Sequence, residues 1–168
     1  PSSVRAFQRS PLRPLRPFDV AREPSDLVVE KLTVARSGRV VVDGLSMVVR
    51  AGEVLGLLGP NGAGKSTTMA ALARVLASAG SVTVGARSDF SVGYAPQDAA
   101  LYPPLTTTEN LVAFAAFAGI RRSARRAAVE TAVEVGGLGE HRDVKASKLS
   151  GGLKRRLSFA VATLAHPD

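Results

Sequence analysis

The chain has 168 residues, 45% of them hydrophobic, enough to bury one sizeable core in a single domain with an appended lobe. It holds no cysteine, which excludes a disulfide framework and thiolate metal sites and is compatible with a reducing compartment. A formal net charge of +8 raises nucleic acid or an anionic membrane as partner. The basic clusters are Arg121, Arg122, Arg125 and Arg126, then Lys154, Arg155 and Arg156. No aromatic residues alternate with them as a base-stacking platform requires, so they read as solvated helix faces and no nucleic acid is expected.

In chain order, residues 1–26 carry Pro1, Pro11, Pro14, Pro17 and Pro24 among arginines and few bulky apolar residues. Prolines that remove donors, with too little apolar surface to offset ordering entropy, predict an extended or disordered linker. A proline-rich ligand for a partner domain is the sharper alternative. No signal peptide is visible, and the start at Pro1 reads as clipped. From Leu27 the pattern turns to short antiparallel strands: Leu27–Val34, Val40–Val42 and Leu45–Val49. Breaks fall at Ser37-Gly38, Asp43-Gly44 and Ala51-Gly52.

Val54-Leu55-Gly56-Leu57-Leu58 reads as a buried strand, and it feeds Gly59-Pro60-Asn61-Gly62-Ala63-Gly64-Lys65-Ser66-Thr67 before an apolar helix. This is the phosphate-cradle pattern G-x-x-x-x-G-K-[ST] in its proper setting of strand, loop and helix. Gly59, Gly62 and Gly64 lack a Cβ, so the backbone can turn successive N–H groups onto phosphate oxygens. The helix start at Lys65 adds the positive end of its dipole. Lys65 reaches the β- and γ-phosphates as a point charge, and the Ser66 hydroxyl is placed to ligate Mg²⁺.

The helix is expected to run to about Ala77 and to close at Gly80, with strands at Ser81–Val84 and Phe90–Ala95. The second half is helical. Thr106-x-x-Glu109 is a capping box, and Leu111, Phe114, Ala115, Phe117 and Ala118 follow at helical spacing. Leu111–Ile120 is too short for a membrane span and reads as a buried helix. Ser123 is expected to cap the next helix, which carries Val129, Ala132 and Val133 and stops at Gly136-Gly137. A last helix after Ser150-Gly151-Gly152 carries Leu157, Ala160, Val161 and Leu164. Phe90 and Tyr94 read as core residues. His141 and His166 lack metal-ligand spacing, and no metal role is expected for either.

Three segments together, the glycine-rich loop, Tyr94-Ala95-Pro96-Gln97 and Leu149-Ser150-Gly151-Gly152-Leu153-Lys154-Arg155-Arg156-Leu157, carry a resemblance. In this order and at these spacings they resemble the nucleotide-binding domain of ABC transporters, from about Leu27 to Asp168. Ala99-Ala100-Leu101-Tyr102-Pro103-Pro104-Leu105-Thr106 with Glu109-Asn110-Leu111 is similar to the ATP-binding subunits of ABC-2 type exporters.

The resemblance implies an α/β P-loop NTPase core (27–98) with a small antiparallel β subdomain and a helical lobe (about 99–165). It implies that Gly59–Thr67 is the Walker A loop for ATP. Gln97 would be the Q-loop glutamine, touching Mg²⁺ and the attacking water. Leu149, Ser150, Gly151, Gly152 and Leu153 would be the signature motif, with leucine where glutamine is most familiar. That helix start would be a second anion site, completing the ATP site of a partner nucleotide-binding domain. The upstream aromatic that stacks on adenine in the family falls at or near Arg36, whose planar guanidinium can also stack.

The strand ending in Asp-Glu that follows the signature helix in the family, and its later histidine, lie beyond His166-Pro167-Asp168. The expectation is therefore a fragment, incomplete at the C-terminus, that lacks turnover although its parent is an ATPase. Two functions stay open. One is the ATPase subunit of a transporter, cytoplasmic on the inner face of the membrane, docked on a membrane-spanning partner and powering export. The other is a soluble ABC-family ATPase or nucleotide-binding module without transport or turnover.

Overall fold

The computed structural model describes residues 5–11 and 25–164. The chain divides into two compact units, one up to Phe90 and one from Ser91 on. In the first unit β1 (Arg5–Pro11) pairs antiparallel with β4 (Glu53–Leu58). A second antiparallel sheet has the order β3-β2-β5, from β2 (Leu27–Arg36), β3 (Arg39–Val49) and β5 (Ala79–Val84). Helix α1 (Lys65–Leu72) follows β4, and Ala71 and Leu72 bury against Val29, Leu32, Val34 and Val42 of β2 and β3.

Several elements depart from what the sequence predicted. Arg5–Pro11 lies in the expected linker yet forms a strand, because β4 offers a row of backbone donors and acceptors that any extended segment can satisfy. The rest of residues 1–24 is outside the described residues. Ser37 (φ 49°) and Gly38 (φ 75°) make the expected hairpin turn, both in the positive-φ geometry that matches strand twist. Asp43-Gly44 does not break the chain into two strands. β3 passes through it as an irregularity in which Gly44 N–H donates to Thr33 Oγ1 at 3.0 Å.

Gly80 does not close a helix but sits inside β5 at φ 93°, where a Cβ would lie 2.5 Å from the Lys31 carbonyl oxygen. Only glycine permits that approach of backbone to backbone. α1 stops at Leu72, well short of Ala77. Arg74 takes φ 58°, its N–H donates to Ala71 O at 2.9 Å, and Val75 N–H donates to Ala70 O at 2.8 Å. This is a Schellman end with arginine in the left-handed position. The Arg74 guanidinium, which also donates to Ser88 O, lies 4.3 Å from the ring centroid of the buried Phe90 and so holds that conformation. Phe90–Ala95 forms no strand, since none of the described strands pairs with it.

The second unit packs α2 (Thr107–Phe117), α3 (Arg122–Gly136) and α4 (Gly151–Thr163) around Leu111, Val133, Leu138 and Leu157, all essentially inaccessible. The capping box is present: Glu109 N–H donates to Thr106 Oγ1 at 3.1 Å and Thr106 N–H donates to the Glu109 carboxylate at 2.7 Å. α3 starts two residues earlier than expected, with Arg121 at the cap and Ser123 inside the helix, and it ends at Gly137 in the left-handed conformation. Phe117, expected on the buried stripe, is 71% exposed. Its position is on the far side of α2 from Ala115, beside Tyr102 and Phe114 at 6.4 and 6.2 Å between ring centroids.

Candidate functional site

The glycine-rich loop joins β4 to α1, the order of elements the motif needs. Gly62 (φ 81°) and Gly64 (φ 93°) take conformations that L side chains rarely adopt. At Gly64 a Cβ would also meet Val41 O at 3.0 Å, so the loop is seated against β3 by backbone contact. Ala63 is buried beneath the loop, while Pro60, Asn61 and Gly62 are exposed.

Lys65 lies across this loop. Its Nζ donates to Gly59 O and to Pro60 O, each at 2.8 Å. Those two carbonyls hold the ammonium at the loop mouth, and a phosphate oxygen of higher negative charge is the stronger acceptor for it. The helix start has no side-chain cap and no acidic residue in its first turn. Its leading N–H groups and dipole therefore remain available to an anion.

Ser66 is exposed, whereas Thr67 and Thr68 are buried. Thr68 Oγ1 donates to Gly64 O at 3.0 Å and so ties the first turn of α1 to the loop. Thr68 was absent from the sequence-derived site, because the motif ends before it and only the fold shows its hydroxyl turned back. A glycine cradle, an open helix start and a neighbouring cation fit a polyphosphate, and the exposed Ser66 hydroxyl is a donor type that suits Mg²⁺.

The other site candidates lie in the second unit. Gln97 is exposed on an irregular segment. Ser150 caps α4, its Oγ accepting from Leu153 N–H at 3.3 Å, and Gly151 and Gly152 are exposed with open space where a Cβ would stand. Leu149 is buried and Leu153 packs against the same core, so these two leucines anchor the motif and their side chains serve the interior. Arg36 is exposed at the end of β2. Tyr94 is half-buried, and His141 closes a short 3-10 turn at Gly139–His141. His166 is outside the described residues. Among the described residues no group of three or more His, Cys, Asp or Glu could hold a metal, and no helix is long and apolar enough to cross a membrane.

Asn110 was noticed in the sequence only as part of a family segment. It is fully buried, accepts from Tyr102 N–H at 2.8 Å and donates to the carbonyls of Tyr102, Leu105 and Thr106. One amide thus shapes the Tyr102–Thr106 approach to α2.

A strand, a glycine cradle and a lysine at an open helix start are the arrangement of the P-loop NTPase class. The family described as ABC transporter matches residues 42–168, three quarters of the sequence, and the chain belongs to it. Over 139 residues the chain is 43% identical to a Nod factor export ATP-binding protein I of Burkholderia pseudomallei, covering 77% of the chain and 46% of the relative. Over 151 residues it is 34% identical to the linearmycin resistance ATP-binding protein LnrL of Bacillus subtilis, covering 84% of the chain and 49% of that protein. A Nod factor export ATP-binding protein I of Paraburkholderia xenovorans is 38% identical over 148 residues. The chain spans about half the length of these curated relatives.

Proposed function

We propose that this chain binds MgATP through Gly59–Thr67 and belongs to the ATP-binding subunit of an ABC exporter. The observation that carries the reading is Lys65 held at the mouth of a glycine cradle by two loop carbonyls, at a helix start that no side chain caps. On arrival of the triphosphate, the ammonium exchanges the Gly59 and Pro60 carbonyls for β- and γ-phosphate oxygens, and the loop N–H groups take the remaining charge. Ser66 is assigned to Mg²⁺, which neutralises phosphate charge when bound; Gln97 is assigned to the same ion and to the attacking water.

ATP hydrolysis is assigned to the protein of the relatives' full length. There Ser150, Gly151 and Gly152 would face the nucleotide of a second copy, and the pair would close on two ATP molecules. The relatives' names, which join ATP binding to Nod factor export and to linearmycin resistance, favour export over a stand-alone module. The exposed aromatic surface of Tyr102 and Phe117 suits docking on a membrane-spanning partner, which would hold the protein at the cytoplasmic face of the membrane.

The test is equilibrium titration of the chain with a fluorescent ATP analogue and Mg²⁺. Saturable binding is expected, and Lys65→Ala is expected to weaken it by roughly tenfold or more, a charge-assisted contact of about 1.5–3 kcal/mol being lost. Equal binding by Lys65→Ala would sink the assignment.

A further inference from the structure

Away from the glycine-rich loop, the second unit carries a cleft of ≈ 440 Å³ between α2 and α3. Thr108 and Val112 line it from α2; Arg122, Arg125, Arg126, Val129 and Glu130 line it from α3. The α3 residues follow the spacing i, i+3, i+4, i+7, i+8, so a single helix face brings three arginines to the wall of one hollow. We propose that this cleft is a second anion site, one that takes a phosphate ester with a modest apolar portion.

The charge balance supports this. Glu130 is the one acid in the lining, and Arg142 holds both of its oxygens, at 2.9 and 2.6 Å. Among the described residues, Arg122, Arg125 and Arg126 form no close ion pair, and only Arg126 lies near enough to feel Glu130, which Arg142 already holds more strongly. Arg125 is oriented: its Nε donates to Ile120 O at 2.8 Å, which fixes the guanidinium plane and leaves the two Nη groups for a ligand. Guanidinium forks match phosphate oxygens in geometry as well as charge.

The arginines are also badly placed for the helix itself. They crowd the first turns of α3, which has no acidic residue and no side-chain cap there, so they oppose the dipole and repel one another at i, i+3 and i, i+4. A doubly charged anion relieves both costs. Val112 and Val129 supply the apolar wall for the organic part, and the volume lies within the usual range for small-molecule sites, about 300–1,000 Å³. The sequence alone left these arginines as solvated surface, because nothing in it showed that α2 closes one side of them.

The test uses the 168-residue chain with Lys65→Ala, which removes the loop's own hold on phosphate. Pyrophosphate is titrated in and followed by backbone amide NMR. Shifts are expected at Thr108–Val112 and Arg122–Glu130. Arg125→Gln with Arg126→Gln should weaken them by roughly tenfold or more, with circular dichroism unchanged. Lys145→Gln with Lys148→Gln, which removes the same charge elsewhere, should change binding by less than about twofold.

A second arm sediments the chain with phosphatidylglycerol vesicles. Pelleting that needs the arginine pair, without a pyrophosphate response, assigns the phosphate to a lipid headgroup; the reverse result assigns it to a soluble ester. Shifts spread over all basic residues, equal sensitivity to the lysine pair, or no dependence on the arginines in either arm overturns the site.

Discussion

The starts of α1 and α4 carry the same kind of sequence, glycines and a hydroxyl residue ahead of a helix, and the structure treats them in opposite ways. At α1 the cap position is Gly64 in the left-handed conformation, no side chain closes the helix end, and Lys65 is turned back over the loop. At α4 the cap is Ser150 in an extended conformation, and its own hydroxyl accepts from Leu153 N–H. The first helix start is open to an anion. At the second, Ser150 Oγ takes one N–H, that of Leu153, so an anion there would share the turn with the cap and meet mainly the Gly151 and Gly152 N–H groups. The difference teaches that glycine-rich helix starts are not equivalent sites, and that the position of the hydroxyl decides which is open.

The largest expected effect tests how α4 is anchored. Leu157 is fully buried below the Ser150 turn, and Leu157→Ala should cost about 2–5 kcal/mol, read by urea unfolding. Next comes the open start. Gly64→Ala meets both a φ of 93° and the Val41 carbonyl 3.0 Å away, so it should destabilise by about 1–3 kcal/mol and abolish nucleotide binding in the same titration that tests Lys65. Unchanged binding by Gly64→Ala would remove the backbone cradle from the argument.

Ser150→Ala is milder. It should lose about 1 kcal/mol as α4 loses its cap, and the effect should vanish from the thermal midpoint if the hydroxyl is not a cap in solution. The smallest effect concerns the acid of the α2–α3 cleft. The hydrogen bond from Arg142 holds the Glu130 carboxyl below its ordinary value of 4.5. A depressed carboxyl contributes stability that is present above the ordinary value and is lost as pH falls through the lowered folded one. Thermal midpoints measured between about pH 3 and 6 should show this slope, and Glu130→Gln should flatten it slightly, the pair being exposed.

Much of the site was legible because its signals are local. The glycines, Lys65 and the Thr106–Glu109 box act within one turn of chain, and their hydrogen bonds fall where residue spacing places them. What could not be read depended on neighbours distant in sequence. Gly80 looked like a helix stop because its requirement comes from the Lys31 carbonyl, some fifty positions away. The end of α1 at Leu72 was hidden because Arg74, not glycine, takes the left-handed position, supported by Phe90. Phe117 matched the apolar spacing, yet the α2 face that becomes interior is set by where α3 and α4 lie.

By itself, then, the sequence determined the strand–glycine loop–helix order, the capped starts of α2 and α4 and the family, since each rests on chemistry carried within a few consecutive residues or on their order along the chain. Tertiary structure alone decided that Gly64 is pressed on Val41, that Asn110 is a buried hub, and that three arginines share a hollow with a wall of α2. Those outcomes follow from long-range packing, which sets what each side chain faces and therefore what it can bind.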